Sequence, residues 1–460
     1  VDLGASLTVG TGNTQTGSDT PLSVTDGGTA PFLNYYINET HRVIFQGNLL
    51  NNGTVRFTNQ NRPKYDAFTN TGAATVFFQG NKNAQISCYG ITDFYNLVVD
   101  KGVDQTFKLN VYSSDYSYFR LFGANTAASA NSATANPDIK KALWVRNGTL
   151  VLQGLTVIPS LSEGATSAGT SNSHFIIPAN GAIELAGSEV IVLGTADHFS
   201  EVEKAYNLSG GSNAIYGINT GSGSYSGISI LGKLQVTNGY LSTRESAGLL
   251  YWSYASGQFI LNNGTVDTKQ FHNPERGTTG LVTFTQTGGQ LILRGRFQNT
   301  INYPSVESLE SPALNTARAA NGIDGTAGIG TMSICANASN GYIVTGGTMS
   351  IYDIPGTTAT SYAFLVNCPL SNINVTGGTL EVLPTTGTAL ADGNYLINSL
   401  ASVGNLMVNR QSSASVVRLA SNQLNVLKDI TLQSGVLEAN NLDISIGGNF
   451  TIYNGTTYTP

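Results

Sequence analysis

The sequence predicts an all-β chain: a right-handed parallel β-helix, or β-solenoid, with loop insertions. Three observations predict it: a glycine-centred segment that recurs along the chain, a period-two alternation of apolar and polar residues after each glycine, and a composition poor in charge. Of 460 residues, 53 are glycine and only 11% are Asp, Glu, Lys or Arg, against about 25% charged residues in typical soluble domains. Strands and turns suit such a chain better than amphipathic helices, which need a charged outer face.

The recurring segment appears when the chain is aligned on glycine: NNGTVRF (Asn51–Phe57), RNGTLVL (Arg146–Leu152), TNGYLST (Thr237–Thr243), NNGTVDT (Asn262–Thr268), TGGQLIL (Thr287–Leu293), VTGGTMSIYD (Val344–Asp353), VTGGTLEVLP (Val375–Pro384) and QSGVLEA (Gln433–Ala439). Gly239, Gly264 and Gly289 are 25 residues apart (264 − 239, 289 − 264). A constant period of that size marks stacked structural repeats.

The second position after the glycine is always apolar: Val55, Leu150, Leu241, Val266, Leu291, Met349, Leu380 and Leu437. It is expected to face the core. The next position holds Arg56, Val151, Ser242, Asp267, Ile292, Ser350, Glu381 and Glu438, a mixture expected of a solvent-facing column. Each unit is therefore a corner entering a short strand, with Asn-Gly or Gly-Gly supplying a positive φ. A β-sandwich array is the rival architecture, but it calls for hairpins over about 100 residues instead of this short period.

A second unit occurs twice. Asn96–Lys101 (NLVVDK) matches Asn405–Arg410 (NLMVNR), and strand-like runs follow at Thr106–Val111 and Ser415–Leu419. Insertions rich in Ser, Ala, Gly and Asn are predicted at Ala124–Asp138, Ser160–Ser173, Asn207–Ser226 and Tyr303–Thr331, and Ser200–Tyr206 is the one candidate for a helical turn or two. With these set aside, roughly 15 rungs spaced about 4.8 Å apart give one elongated body over residues 1–460, on the order of 70 Å long.

Composition also limits partners. Net charge is −6 and the Lys and Arg residues are scattered, so no basic patch supplies the counterion release that drives nucleic-acid binding. No apolar run reaches the roughly 20 residues of a membrane helix, and VDLGASLTVG lacks the regions of a signal peptide. The chain is expected to be mature, or a segment of a longer repetitive protein. Cys88, Cys335 and Cys368 form no C-x-x-C pair, so neither a zinc site nor a disulfide framework is expected. Cys335 and Cys368 can pair, or stay as buried thiols.

The segments TDFYNLVVDKG (Thr92–Gly102), GNLLNNGTVRFTN (Gly47–Asn59) and ANNLDISIGGNFTIYNGTTYTP (Ala439–Pro460) resemble the repeats of very large secreted β-helix surface proteins of Bacteroidetes. In that family strings of the type F-x-N-L and G-G-N-aromatic-T recur. Similar chains are exported by the type IX secretion system, and some act as adhesins, including those carried along the cell surface in gliding motility. The resemblance implies an extracellular, surface-attached protein and assigns no catalytic residue.

Parallel β-helices also include pectate-lyase-like and polygalacturonase-like enzymes, which need carboxylates clustered on one strand face. Here acidic residues occur singly, and Asp267, Glu381 and Glu438 share their column with Arg, Val, Ser and Ile. His41, His174, His198 and His272 have no metal or triad spacing. No catalytic residue, metal or cofactor is assigned. The candidate binding residues are Arg244, Lys269 and His272, in and near the polar stretch DTKQFHNPER (Asp267–Arg276), with Tyr251, Trp252 and Tyr254 as surface rings. A 25-residue stack would set Arg244, Lys269 and Arg294 in a basic strip able to meet an acidic sugar; the alternative is a corner with ordinary ion pairs. A second aromatic run, YSSDYSYF (Tyr112–Phe119), either packs inside or lies on the surface.

The leading expectation is a non-catalytic structural or adhesive segment whose lateral loops bind glycans or surfaces, with further repeats or another subunit at its ends. The alternatives are a β-helical polysaccharide lyase or glycoside hydrolase, and a tail-spike-like or filament component.

Overall fold

A computed structural model describes residues 6–8, 41–58, 74–121, 143–158, 172–193, 225–242, 249–252, 257–272, 283–295, 330–334, 339–354, 362–384, 395–410 and 415–460. Among them the chain is all-β, with one 3₁₀ turn at Leu370–Asn372. Every strand pairing among the described residues is parallel, in long sheets compatible with a β-solenoid. The hairpins that a β-sandwich requires are absent from these residues.

The chain divides into two compact units, Val1–Gly227 and Ile228–Pro460. In the first, three strands make one turn of chain: His41–Phe45, Leu49–Asn51 and Thr54–Arg56. The next turns are Ala74–Gln79, Ala84–Cys88 and Thr92–Phe94, then Asn96–Asp100, Lys108–Ser113 and Phe119–Leu121. Each strand pairs with its counterpart one turn on, which builds three parallel sheets. Alternation then places Val76, Leu97 and Leu143 in one buried column and Ile86, Val111 and Leu152 in another. Phe57 and Phe94 stack at 5.4 Å, and Phe94 meets Phe119 at 5.6 Å.

In the second unit the 25-residue period is the rung repeat. Leu241, Val266 and Leu291 pair in register, and the column continues through Met349, Leu380, Leu406 and Ile430. Every glycine-centred core residue predicted to face inward is buried in its own unit, from Val55 to Leu437. Beside this column Phe259, Phe284 and Tyr342 stack at 5.5 and 5.3 Å with nearly parallel rings. The two VTGGT segments lie directly on one another: Val344 pairs with Val375, Thr348 with Thr379, and Met349 with Leu380.

That stacking explains the glycines. Gly264 has φ +83°, and a Cβ there would sit 2.5 Å from the Gly239 carbonyl oxygen one rung away. Gly377 needs no positive φ, yet its Cβ would fall 2.5 Å from the Thr345 oxygen. Corners therefore demand glycine for left-handed backbone in one place and for close rung contact in the other. Asn and Asp complete the corners: Asn405 Oδ1 accepts from the Asp429 N–H at 3.3 Å, and Asp429 Oδ1 from the Asn449 N–H at 2.7 Å.

The NLVVDK and NLMVNR matches have a shared physical role. Lys101 and Arg410 are both buried, and each reaches back to a carbonyl of the preceding rung: Lys101 Nζ donates to Gln79 O at 2.9 Å, and Arg410 Nη1 donates to Leu383 O. Burial lowers the Lys101 pKa from its usual value. Each side chain also lies under the next corner glycine, Gly148 or Gly435, where a Cβ would come within 2.7 Å of the Lys101 or Arg410 Cβ.

Several expectations are corrected. The column after the apolar position is not solvent-facing throughout: Val151, Ser242, Asp267 and Ser350 are buried. Neighbours in the stack satisfy its polar members. The Ser350 hydroxyl donates to Glu381 Oε2 at 2.7 Å, and Arg294 covers Asp267. The ends assigned to three insertions begin strands instead, at Asn172–Ile177, Tyr225–Ile230 and Gly330–Ile334; small polar residues can start a ladder because pairing there uses the backbone. The remainder of those insertions, Ala124–Asp138 and Ser200–Tyr206 lie outside the described residues. Cys88 and Cys368 are buried free thiols, raised by burial to about 12 and about 11; Cys335 lies outside the described residues.

Candidate functional site

In the second unit, strands Thr265–Thr268 and Gln290–Leu293 are paired, and the hydrogen bonds run on past their ends: Arg294 N–H donates to Thr268 O at 2.8 Å and Gly295 N–H to Lys269 O at 2.7 Å. Arg294 thus lies beside Lys269, as the 25-residue spacing predicts. Its side chain does not extend a basic strip. It turns onto Asp267 in a two-pronged pair, Nε to Oδ1 at 3.0 Å and Nη2 to Oδ2 at 2.8 Å, with its guanidinium 4.8 Å from the Tyr352 ring centre. Asp267 is 2% exposed, so in this low-dielectric position pairing with the acid outweighs projection into water. The hydrogen bond to Asp267 raises the Arg294 pKa.

The other predicted binding residues are only partly placed. Tyr251 pairs through its backbone with His272, and His272 with Ser333, so these two candidates occupy neighbouring rungs of one sheet. Trp252 ends the strand Leu249–Trp252. Lys269 is half-buried. Arg244 and Tyr254 lie outside the described residues.

Carboxylates elsewhere are also built into the scaffold. In the first unit Arg56, Asp93 and Arg120 are in register on three successive strands. The Asp93 side chain is fully buried and accepts from Arg56 Nε at 2.8 Å, Arg120 Nε at 2.6 Å and Arg120 Nη2 at 2.9 Å. In the second unit Tyr395 OH donates to Asp353 at 2.9 Å while Arg410 lies 3.5 Å over the Tyr395 ring. Burial is the main cause that pushes Tyr395 up to about 12. Glu438 pairs with Arg418 at 2.6 Å. Among the described residues no three His, Cys, Asp or Glu side chains are grouped so as to hold a metal ion.

A partly exposed aromatic group lies in the first unit, where the YSSDYSYF run joins a residue that sequence reasoning did not select. Tyr89 follows strand Ala84–Cys88 and is 50% exposed. Its ring lies 5.8 Å from that of Tyr112, at 51°. Tyr112 pairs with Ser87 on one side and Gln153 on the other. Tyr116 sits in the turn after Ser113 and donates its hydroxyl to Glu189 Oε2. Asp115 shapes that turn, its Oδ1 accepting from the Ser117 N–H at 2.9 Å and hydroxyl at 2.7 Å. Phe119, by contrast, is buried in the core. The run therefore does both things the sequence allowed. Tyr89 was legible only through the register, since Ile86 pairs with Val111 and this brings position 89 to the end of the Tyr112 strand.

No family model matches the chain, and neither a curated protein nor a solved structure is detectably similar to it.

Proposed function

We propose that the chain is a right-handed parallel β-helix acting as a non-catalytic structural and adhesive segment of a secreted bacterial cell-surface protein, of the type IX-exported kind found in Bacteroidetes. Its work is to present lateral surfaces to extracellular glycans or other surfaces. The observation that carries this reading is how the side chains are used: buried acids such as Asp93, Asp267 and Asp353 are tied to scaffold partners, while tyrosines are left half-exposed outside the stack. An acid held between two arginines is a poor general base, because its lone pairs are already taken by the guanidinium donors.

The partner at the end of the stack is part of the proposal. Ile430 and Leu432 are at most 1% exposed, whereas Phe450 and Ile452, which pair with them one rung later, are 37% and 49% exposed. Residues 444–460 carry no charge to block edge pairing. Further repeats or another subunit are the natural cover.

The test pairs binding with turnover. On a broad array of bacterial, plant and animal glycans the protein should be retained by at least one class, and incubation with the same polymers should release neither new reducing ends nor unsaturated sugars. Retention of nothing would sink the adhesive reading; release of products would replace it with a lyase or hydrolase.

A further inference from the structure

We infer that Tyr89, Tyr112 and Tyr116 form a stacking site for a neutral glycan, an inference that rests on the adhesive reading above and names the ligand class. Rings that serve the core of this unit, such as Phe57, Phe94 and Phe119, are completely buried. Tyr89 is half-exposed, and its ring and that of Tyr112 are set 5.8 Å apart at 51°. Two such rings make a shallow trough whose faces can meet the C–H groups of a sugar ring, while the phenol hydroxyls reach its oxygens.

The site is built before a ligand arrives. Gly154, on the following turn, has φ +73°, and a Cβ there would lie 2.9 Å from Tyr112 Cε2 and 2.3 Å from Ser113 O. Glycine at that position gives the Tyr112 ring its room. The Tyr89 N–H donates to Asn51 O at 2.9 Å, which ties the other tyrosine to the rung before it. Tyr116 is oriented by its hydroxyl bond to Glu189. Fixed tyrosines lose little freedom on binding, so more of the contact energy appears as affinity.

The electrostatics choose the ligand. The charged groups beside the rings are acids, Asp115 in the turn and Glu189 bonded to Tyr116. The cation on the two strands that carry Tyr112 and Glu189 is Lys108, and it faces Glu184 at 3.4 Å. Carboxylates accept hydrogen bonds from sugar hydroxyls and repel uronate, sulfate or phosphate groups. A neutral hexose polymer fits this surface; an acidic one does not. The preference is opposite to the one expected of a basic strip at Arg244, Lys269 and Arg294.

Affinity electrophoresis tests this in gels containing β-glucan, galactomannan, mannan or polygalacturonate. The wild-type chain should be retarded by at least one neutral polymer and not by polygalacturonate. Tyr89→Ala should weaken that retardation about tenfold, the loss of one stacking ring, and Tyr89→Phe, which keeps the ring and loses only its hydroxyl, should weaken it much less. Because Tyr89 is half-exposed, Tyr89→Ala should unfold at the wild-type temperature, so lost binding is not lost folding. If Tyr89→Ala is retarded like wild type, the site is wrong while the adhesive reading survives. Retardation by polygalacturonate that depends on Tyr89 would overturn the neutral class. No retardation in any gel overturns the inference, and a blank glycan array alongside would take the adhesive reading with it.

Discussion

Replacing Phe284 with alanine is expected to cost about 4 kcal/mol of unfolding free energy. Phe284 is fully buried between Phe259 and Tyr342, with Phe271 edge-on at 5.3 Å. Removing its ring takes away buried apolar area and leaves a hole that the stacked rungs cannot close, since their spacing is set by backbone hydrogen bonds. Phe284→Leu should lose much less because it refills most of the volume. Urea unfolding of the two variants beside wild type reads the difference, and an alanine cost below about 1 kcal/mol would mean that the aromatic column is not packed as described.

Asp93→Ala is expected to cost about 3 kcal/mol, because it leaves Arg56 and Arg120 facing one another without the acid that joins them. The sharper form of this prediction is a comparison. Exchanging all three residues for apolar ones, Arg56→Met with Asp93→Leu and Arg120→Met, should be less damaging than Asp93→Ala alone, since desolvating the charges offsets much of their attraction. The same unfolding measurement decides it. A triple variant much less stable than Asp93→Ala would show that the ion triad contributes net stability of its own.

The fold was legible wherever chain chemistry repeats. The period of 25, the inward column from Val55 to Leu437 and the glycine corners all follow from backbone geometry, which each rung must satisfy again. What could not be read was the state of the second column. A pattern of Ser, Asp, Glu and Arg looks solvent-facing, but Ser350 and Asp267 are buried because partners one rung away, Glu381 and Arg294, satisfy them. Such pairs join residues 31 and 27 positions apart, and no local pattern announces them. The repeated NLVVDK and NLMVNR segments were visible as a match, but the reason, a buried cation reaching the preceding rung, appears only in three dimensions. For the tyrosine site the run at Tyr112–Phe119 was visible and its partner Tyr89 was not, since that contact spans two rungs.

The central claim is that the repeated glycine segments are stacked corners of a scaffold. It is tested most directly by oxidative cross-linking of Thr348→Cys with Thr379→Cys, in a chain whose three native cysteines are replaced by alanine. These positions pair in register within the two VTGGT segments, so their Cα atoms should lie about 4.8 Å apart, inside disulfide reach. The account predicts rapid, near-complete bond formation for this pair and almost none for Thr265→Cys with Thr348→Cys, which are two rungs apart. Failure of the first pair to link, or equal linking of the second, would contradict it.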